Sequence, residues 1–372
     1  LALEALRLWP GMNQLVEAET GFRAAGIAYL CDDAAEVTQY ESWLAKAEDH
    51  CRDFQKVARI LRPDELDGII PGATRRYAGA LYAPTDGRAE PQKAAPAIAN
   101  AARRAGAAIL TQCAVRGLDI AAGRVAGVVT EKGRIACSSV VLAGGAWSRL
   151  FCATFGVALP QLKVLASVLR TDPIEGGPEA ALWESNFGLR RRLDGGYNVA
   201  NGSSSLVDIV PDSFRFFSKF LPSLKHEWKS LRFRLGSRFA EEWQASSQLA
   251  PDRTTIFERV RVLDPEPERK LSEDALNQVK TVFPALRDAT VAQHWAGLID
   301  VTPDAVPVIS AAESLPGCFI ATGFSGHGFG IGPGAGRLVA ELVSGDQPVV
   351  DPTPYRLSRF FDGSPIQLDR DL

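Results

Sequence analysis

The stretch ATGFSGHGFGIGPGAG, residues 321–336, places seven glycines in sixteen positions directly after an apolar segment. Glycine loses more backbone freedom on folding than any other residue, so a segment this rich in glycine is costly to order. The pattern indicates that another group approaches the backbone closely, or that the chain turns where a side chain would clash. Three interpretations follow: a phosphate-binding loop, a loop against a flat cofactor ring, or a tight turn.

The phosphate-binding interpretation rests on six letters. Residues 330–335, GIGPGA, match the dinucleotide fingerprint G-x-G-x-x-G/A, which needs a strand immediately before it and an acidic residue about twenty positions later. The strand predicted at 318–322 is separated from these letters by residues 324–329. Asp351 has a suitable spacing but lies in a proline-rich tail rather than at the end of a strand. The phosphate-binding interpretation is therefore weak.

The cofactor-ring interpretation agrees better with the flanking residues. Pro333 suits the first turn of a helix that continues through Arg337, Leu338, Glu341 and Leu342. The free N–H groups and the positive dipole end of that helix would face whatever the glycines admit. A reduced flavin, which carries negative charge over part of its ring, is stabilised in such a place. A tight turn remains the alternative.

The rest of the chain predicts an α/β domain followed by an antiparallel region. Asp32 or Asp33 is suited to cap a helix that runs to about Phe54, and residues 75–84 read as a strand. A helix is predicted over 91–106, with hairpin turns at 122–124 and 132–133. The continuously apolar segment 139–147 indicates a strand buried on both faces. From about Pro160 the strands become polar, and the basic, aromatic segment 213–243 predicts amphipathic helices.

Composition excludes several classes of function. The chain has 372 residues, 46% of them apolar, and a net charge of −3, so it has no overall basic field for nucleic acid. No window approaches the eighteen apolar residues of a membrane span. The six cysteines include no C-x-x-C pair, which favours a reducing compartment over a disulfide framework or a zinc site. We therefore expect a cytoplasmic protein.

Four blocks of the sequence together resemble one family of flavoenzymes. They are PTDGRAEPQKAAPAIANAARRAGAAIL (84–110), VVLAGGAWSRLF (140–151), WAGLIDVTPDAVPVIS (295–310) and GFSGHGFGIGPGAGRLVAELV (323–343). In this order they are similar to the D-amino-acid oxidase, glycine oxidase and sarcosine oxidase family. The resemblance implies an α/β (α+β) two-domain fold, in which a Rossmann-like FAD-binding domain is interleaved with an antiparallel-sheet substrate domain. We expect the FAD domain at 88–160 and 291–350, the substrate domain at 16–87 and 161–290, and a tail at 351–372.

The same resemblance implies FAD-binding residues. Val115 corresponds to the backbone contact at the adenine end, and the block 302–304, with Pro303, to the segment beside the flavin ring. The remaining cofactor-binding residues expected are Ala143, Gly144, Gly145, Trp147, Gly297, Gly323, Phe324, Ser325, Gly326, His327, Gly328, Phe329, Gly330 and Ile331.

The sequence departs from the family pattern in three places. The opening strand, glycine-rich loop and helix of the family's dinucleotide unit do not precede Leu1, so we expect that this unit is missing from the chain. Gly297 stands where some relatives have the cysteine that tethers the flavin, so FAD is expected to be non-covalent. Gly330 replaces the lysine of the relatives' G-F-S-G-H-G-F-K motif, which leaves reactivity with oxygen open.

Candidate substrate residues are fewer. An arginine suits an amino-acid carboxylate, because its planar fork meets two oxygens. Arg190, Arg191 and Arg192 lie on one predicted strand, whose alternation sends Arg191 to the opposite face from the other two. We expect Arg191 and His327 to be catalytic, and Tyr197 to close the pocket, with an exposed basic cluster and sheet packing as the alternatives. Arg88 is a further candidate.

The resemblance implies FAD-dependent oxidation of the C–N bond of a small amino acid. We expect a secondary amine such as an N-substituted glycine, sarcosine-like or iminodiacetate-like, or a cyclic imino acid. Hydride transfer to the flavin would be followed by imine hydrolysis, and oxygen would accept the electrons and give hydrogen peroxide. Two alternatives stay open: a dehydrogenase subunit that passes electrons to a partner protein or quinone, and a non-catalytic subunit without FAD. The oligomeric state is left open.

Overall fold

The computed structural model describes residues 1–50, 57–202, 205–228, 231–247, 249–366 and 368. Within these residues the chain forms the predicted mixed α/β fold, with one large sheet and two small ones. The helices are α1 (Ala2–Leu8), α2 (Met12–Val16), α3 (Ala34–His50), α4 (Pro91–Arg104), α5 (Ser148–Ala153), α6 (Pro211–Arg215), α7 (Phe217–Glu227), α8 (Ser237–Ser247), α9 (Ile256–Arg259), α10 (Arg269–Val282) and α11 (Gly328–Ser344).

The strands are β1 (Ile27–Cys31), β2 (Arg59–Leu61), β3 (Gly79–Ala83), β4 (Val115–Ala121), β5 (Arg124–Thr130), β6 (Gly133–Ala136), β7 (Val140–Leu142), β8 (Leu162–Thr171), β9 (Ala181–Trp183), β10 (Gly188–Arg191), β11 (Tyr197–Ala200), β12 (Ser205–Asp208), β13 (Leu231–Arg234), β14 (Val291–Val301), β15 (Val308–Ala311) and β16 (Cys318–Thr322). Several predicted boundaries are close to these. Asp33 accepts hydrogen bonds from the amides of Ala35 and Glu36 and so caps α3, although the predicted helix end at Phe54 lies outside the described residues.

The large sheet has ten strands. Nine of them lie in the order β13-β12-β8-β11-β10-β9-β1-β3-β2, and the tenth, β14, pairs with β8. Apart from two parallel pairs, β1 with β9 and β12 with β13, its strands are antiparallel, as the polar texture after Pro160 predicts. Alternate residues such as Leu169, Leu189 and Val199 are fully buried against α10. Helix α10 therefore covers one face of this sheet over its central strands.

The two small sheets form the rest of the α/β part. Strands β4, β5 and β6 make a meander with the predicted hairpin turns. Strand β7 lies parallel to β16, which pairs antiparallel with β15. The prediction that this β7 segment is buried on both faces is wrong. Val140 and Leu142 pack on the buried cluster around Ile320, but Val141 points the other way and is 37% exposed.

Helix α11 begins five residues earlier than predicted. It starts at Gly328, so Pro333 lies inside the helix instead of in its first turn. Helix α1 packs against it at Gly334, where a Cβ would come within 2.7 Å of the Leu1 carbonyl oxygen. The low helix propensity of glycine predicts a loop here, and tertiary packing against α1 overrides it. The six letters of the fingerprint are therefore helical residues, not a phosphate-binding loop.

Two further predictions differ in extent. The strand expected at 75–84 is shorter, since only Gly79–Ala83 is paired. The basic, aromatic segment 213–243 forms the predicted helices, but strand β13 separates α7 from α8. The domain boundaries expected from the family resemblance stay a prediction.

Candidate FAD and substrate site

A cleft of about 330 Å³ lies where four elements meet. These are the turn after β7, the end of β14, the end of β16 and the start of α11. The residues that line it are Ala143, Gly145, Ile299, Asp300, Ala321, Phe324, Gly326 and Gly328. The Gly-Gly turn and the glycine-rich loop, which are 180 residues apart in sequence, therefore face one another across this cleft.

Glycine backbone forms opposite walls of the cleft. Gly145 has φ +52°, and a Cβ there would meet no described atom within 4 Å. Gly326 has φ +93°, a conformation that side-chain-bearing residues rarely adopt, and a Cβ there would reach Ile299 at 3.8 Å. These walls let a flat cofactor approach the backbone closely, so the residues present fit a dinucleotide-type group such as FAD.

Helix α11 begins beside the cleft. His327 precedes the helix, and Gly328, its first residue, lines the cleft. The first N–H groups of a helix lack intrahelical partners and carry the positive end of its dipole. The positive end of α11 therefore lies beside the cleft, and the helix begins earlier than the sequence predicts. The side chain of His327 is exposed.

Asp300, which the sequence analysis did not single out, organises the floor of the cleft. Its Oδ2 accepts hydrogen bonds from the backbone amide of Gly323 at 2.6 Å, from Thr322 Oγ1 at 2.9 Å and from Gln161 Nε2 at 3.0 Å. Its carbonyl oxygen accepts from the amide of Ser325 at 2.9 Å. One residue of β14 thus holds both the end of β16 and the loop that leads to α11.

The register of the large sheet defines which of its side chains share a face with the cleft. Residues opposite each other in paired strands point to the same face, and so does every second residue along a strand. Ile299, which lines the cleft, shares its face of β14 with Gly297 and Gln293. Directly across the strands from Gln293 lie Arg170 on β8, Asn198 on β11 and Arg190 on β10.

Arg190 extends from this face toward the helices of the α/β part. Its guanidinium donates to the carbonyl of Ala89 at 2.6 Å and to the Glu90 carboxylate at 3.5 Å. Ala89 belongs to the buried cluster of α1, α2 and α4. Burial lowers the pKa of Arg190, and the neighbouring Glu90 carboxylate opposes that shift.

Arg191 and Tyr197 lie on the opposite face, the one that α10 covers. They are paired residues, and Tyr197 is 1% exposed within the core, where its hydroxyl donates to the Pro178 carbonyl at 3.3 Å. The Arg191 guanidinium pairs with Glu179, which also pairs with Arg88 at 2.9 Å. The predicted alternation of the three arginines is therefore observed, but it is Arg190, and not Arg191, that faces the cleft side.

The expected cofactor residues fall into three groups. Five of them line the cleft: Ala143, Gly145, Phe324, Gly326 and Gly328. Others adjoin it in the same loop, helix or strand, namely Gly144, Gly297, Gly323, Ser325, His327, Phe329, Gly330 and Ile331. The rest lie outside its lining: Val115 begins β4, Trp147 contacts Phe257 edge-on at 5.8 Å, and Pro303 accepts a hydrogen bond from Ser223 through its carbonyl.

Comparison with known proteins identifies the class. The cleft with glycine walls and a helix N-terminus is that of a flavin-dependent oxidoreductase, and residues 1–342 match the DAO family of FAD-dependent oxidoreductases. The chain belongs to this family, as the sequence resemblance indicated. FAD is accordingly its cofactor, and its relatives are amino-acid oxidases and dehydrogenases.

Three similar proteins show the range of the family. The chain is 27% identical over 364 residues to 4-methylaminobutanoate oxidase (formaldehyde-forming) of Paenarthrobacter nicotinovorans, covering 97% of this chain and 38% of that protein. It is 25% identical to glycine oxidase of Pseudomonas aeruginosa, and the match covers 95% of this chain and 82% of that protein. The solved structure of L-amino acid deaminase from Proteus myxofaciens in complex with anthranilate superposes with a TM-score of 0.90 at 32% identity, covering 96% and 80%.

The share of the relatives that this chain spans varies. It covers 38% of the first of these curated relatives and 34% of human mitochondrial sarcosine dehydrogenase, but 82% of the glycine oxidase. Across the part of the chain that the structure describes, no helix is long and apolar enough to cross a membrane. The same residues contain no group of three or more side chains placed to hold a metal ion.

Proposed function

We propose that this protein oxidises the C–N bond of a small amino acid that carries one carboxylate, with Arg190 as the carboxylate-binding residue. The observation that carries the proposal is the register of β8, β10, β11 and β14, which puts Arg190 on the same sheet face as Ile299 of the cleft. The substrate would lie against this face, between the cleft and the cross-strand row formed by Gln293, Arg170, Asn198 and Arg190. The earlier expectation of Arg191 in this role is replaced.

A bound FAD would supply the acceptor for a hydride from the carbon beside the substrate nitrogen, and the resulting imine would be hydrolysed by water to a carbonyl compound and an amine or ammonia. The chain supplies position and charge. The glycine walls at Gly145 and Gly326 admit the cofactor, and the first amides of α11 stabilise the negative charge that grows on reduction. The sheet face with Arg190 fixes the substrate relative to that cofactor.

The charge balance around Arg190 supports one substrate carboxylate. Three guanidinium groups, those of Arg170, Arg190 and Arg192, share this region with the carboxylates of Glu90 and Asp194. These five groups leave one positive charge, and Arg88, which also acts on Arg190, is paired with Glu179, so the region suits a substrate with one carboxylate. The similar L-amino acid deaminase was solved with anthranilate, an aromatic monocarboxylate. Sarcosine, proline and primary amino acids with apolar side chains are therefore the first substrates to test.

Substitution of the two neighbouring arginines tests this proposal. Anaerobic reduction of the bound flavin is followed in stopped flow with sarcosine, L-proline, L-phenylalanine and iminodiacetate as probes. Arg190→Gln should raise the substrate concentration for half-maximal reduction by about 10- to 100-fold, because a charge-assisted hydrogen-bond pair is lost. Arg191→Gln, one residue away on the other face, should change it less than threefold. Equal effects of the two substitutions, or a larger effect of Arg191→Gln, would reject Arg190.

A second candidate differs only in the electron acceptor. Similar proteins include sarcosine dehydrogenases and D-amino acid dehydrogenases as well as oxidases. Gly330 occupies the position of the relatives' lysine, a positive charge near the ring, so an acceptor other than oxygen is the alternative. Membership of this enzyme family argues against the alternative of a non-catalytic subunit without FAD. We keep the cytoplasm as the proposed location, since the five described cysteines are free thiols.

A further inference from the structure

Asp300 brings a negative charge to the cofactor cleft. Among the eight described residues that line the cleft, it is the only one with an ionisable side chain. The three groups that donate to its Oδ2, from Gln161, Thr322 and Gly323, are all uncharged. Three donors on one oxygen suit an ionised carboxylate, yet none of them neutralises its charge.

The carboxylate is also held in place from both sides. Gln161 is 2% exposed, donates to the Gly145 carbonyl at 3.2 Å, and accepts from the Arg149 amide at 2.9 Å. Thr322 is fully buried and reaches the same Gly145 carbonyl at 3.2 Å. The charge of Asp300 is therefore fixed relative to the two backbone segments that form the walls of the cleft.

We propose that Asp300 is a positioning residue with an electrostatic role: its fixed carboxylate lowers the midpoint potential of the bound flavin. Two-electron reduction by hydride adds negative charge to the ring, and a carboxylate beside the same cleft disfavours that charge. The N-terminus of α11 acts in the opposite direction, because its amides stabilise the reduced ring. The potential is then set by the balance between the two, and Asp300 makes the reduced cofactor a stronger electron donor. The inference depends on FAD binding and not on the proposed substrate.

The test is an anaerobic redox titration of the FAD-loaded protein, followed by its visible spectrum. Asp300→Asn keeps the shape of the side chain and an oxygen acceptor facing the same donors, but it removes the charge. We expect a higher midpoint potential than in the wild type and a dissociation constant for FAD that changes less than about threefold. Asp300→Glu keeps the charge and should restore most of the wild-type potential.

Thr322→Val is a second variant, and it should not raise the midpoint potential. It leaves the charge of Asp300 and removes one of its donors, so the potential should stay at or below the wild-type value. This variant decides the question if Asp300→Asn does not fold. An unchanged potential in Asp300→Asn, an equal rise in Asp300→Glu, or a rise in Thr322→Val would each overturn the proposal.

Discussion

Trp9 donates its indole N–H to the carbonyl oxygen of Gly330 at 2.7 Å, although the two residues are 321 positions apart. The Trp9 ring stacks on Phe22 at 5.8 Å and contacts Phe329 at 5.3 Å. Trp9 is 7% exposed, so this contact is made inside the protein. The first residues of the chain are thereby joined to the first turn of α11, beside the cofactor cleft.

Removing this hydrogen bond should loosen that turn. Trp9→Phe keeps an aromatic ring but loses the N–H donor, and we expect it to lower the free energy of unfolding by about 1 kcal/mol. Urea unfolding at matched FAD occupancy measures the change. Trp183→Phe is a control, because that indole is 43% exposed and its replacement should cost less than about 0.5 kcal/mol. Equal losses in both variants would show that the hydrogen bond to Gly330 contributes nothing specific.

The glycine-rich segment shows what the sequence predicts and what it leaves out. The seven glycines predicted close approach to the backbone, and two of them, Gly326 and Gly328, line the cleft. Gly334 has another role, since it lets α1 pack directly on α11. Where the helix starts depends on that packing, and the residues of α1 lie more than 300 positions away. Helix propensity depends on neighbouring residues in the sequence, so it cannot predict a contact with so distant a segment.

Strand β10, which carries Arg190 and Arg191, shows the same limit for the site residues. Strand alternation correctly separated Arg191 from Arg190, and Arg192, just after the strand, contacts Asn198 and Glu90 on the side of Arg190. Which face meets the cofactor depends on the position of α10 and of the α/β part, and neither is readable from the strand itself. Asp300 could have been noticed as an acidic residue within an apolar strand next to the T-P-D block. Its three donors come from Gln161, just before β8, from the last residue of β16 and from the loop that follows it, and only the fold brings these together.

The cysteines should differ sharply in reactivity. Burial raises the pKa of the Cys31 and Cys152 thiols to about 12 and that of Cys318 to about 11. The thiolate is the reactive form, so these three should resist a thiol reagent at pH 8 to 9 in the native protein. Cys113 and Cys137, which are half-buried, should react first. Mass spectrometry of peptides labelled before and after denaturation measures this. Early native labelling of Cys152 would contradict it.

The same shifts predict a loss of stability in alkali. A group whose pKa is raised by folding holds its proton more tightly in the folded state, so its contribution is complete below the unfolded pKa and is lost as the pH rises. For these thiols the loss runs from about pH 9, where the unfolded chain ionises, toward pH 12. Urea unfolding of Cys31→Ala/Cys152→Ala should show a shallower decline above pH 9 than the wild type. An unchanged slope would contradict the prediction.

FAD should be bound without a covalent link. Gly297 stands on β14 opposite Ala166, where some relatives have the tethering cysteine, and it offers no thiol to the flavin. Acid precipitation of the yellow protein should therefore release the colour into the supernatant, with the absorbance of free FAD. Colour that stays in the pellet would show a covalent bond through another residue.

The electron acceptor can be separated from the substrate chemistry by measuring reoxidation alone. If oxygen is not the natural acceptor, the substrate-reduced protein should be reoxidised slowly in air, and a dye or quinone should outpace oxygen. Stopped-flow mixing of the anaerobically reduced protein with each acceptor compares the two rates directly. Fast reoxidation by oxygen alone would instead support an oxidase that forms hydrogen peroxide.

The first turn of α11 allows a direct test of oxygen reactivity. A positive charge near the ring stabilises the superoxide that forms in the first electron transfer to oxygen. Gly330 lies in the first turn of α11, and a Cβ there would meet no described atom within 4 Å, so a lysine side chain has room. Gly330→Lys should therefore speed reoxidation by about tenfold, which corresponds to about 1.4 kcal/mol in the barrier.

His327 should matter less than its place in the sequence suggests. It precedes the first residue of α11 and its side chain is exposed, so solvent screens its interaction with the cleft. We expect His327→Gln to slow reoxidation by less than about threefold and to leave anaerobic reduction unchanged. Gly332→Lys is the matched control for Gly330→Lys, since a Cβ at Gly332 also meets no described atom within 4 Å but lies two residues further along the helix. If both lysines accelerate reoxidation equally, the effect is general attraction and not a charge at the ring. If neither does, the start of α11 serves only as a wall that its glycines allow the cofactor to approach.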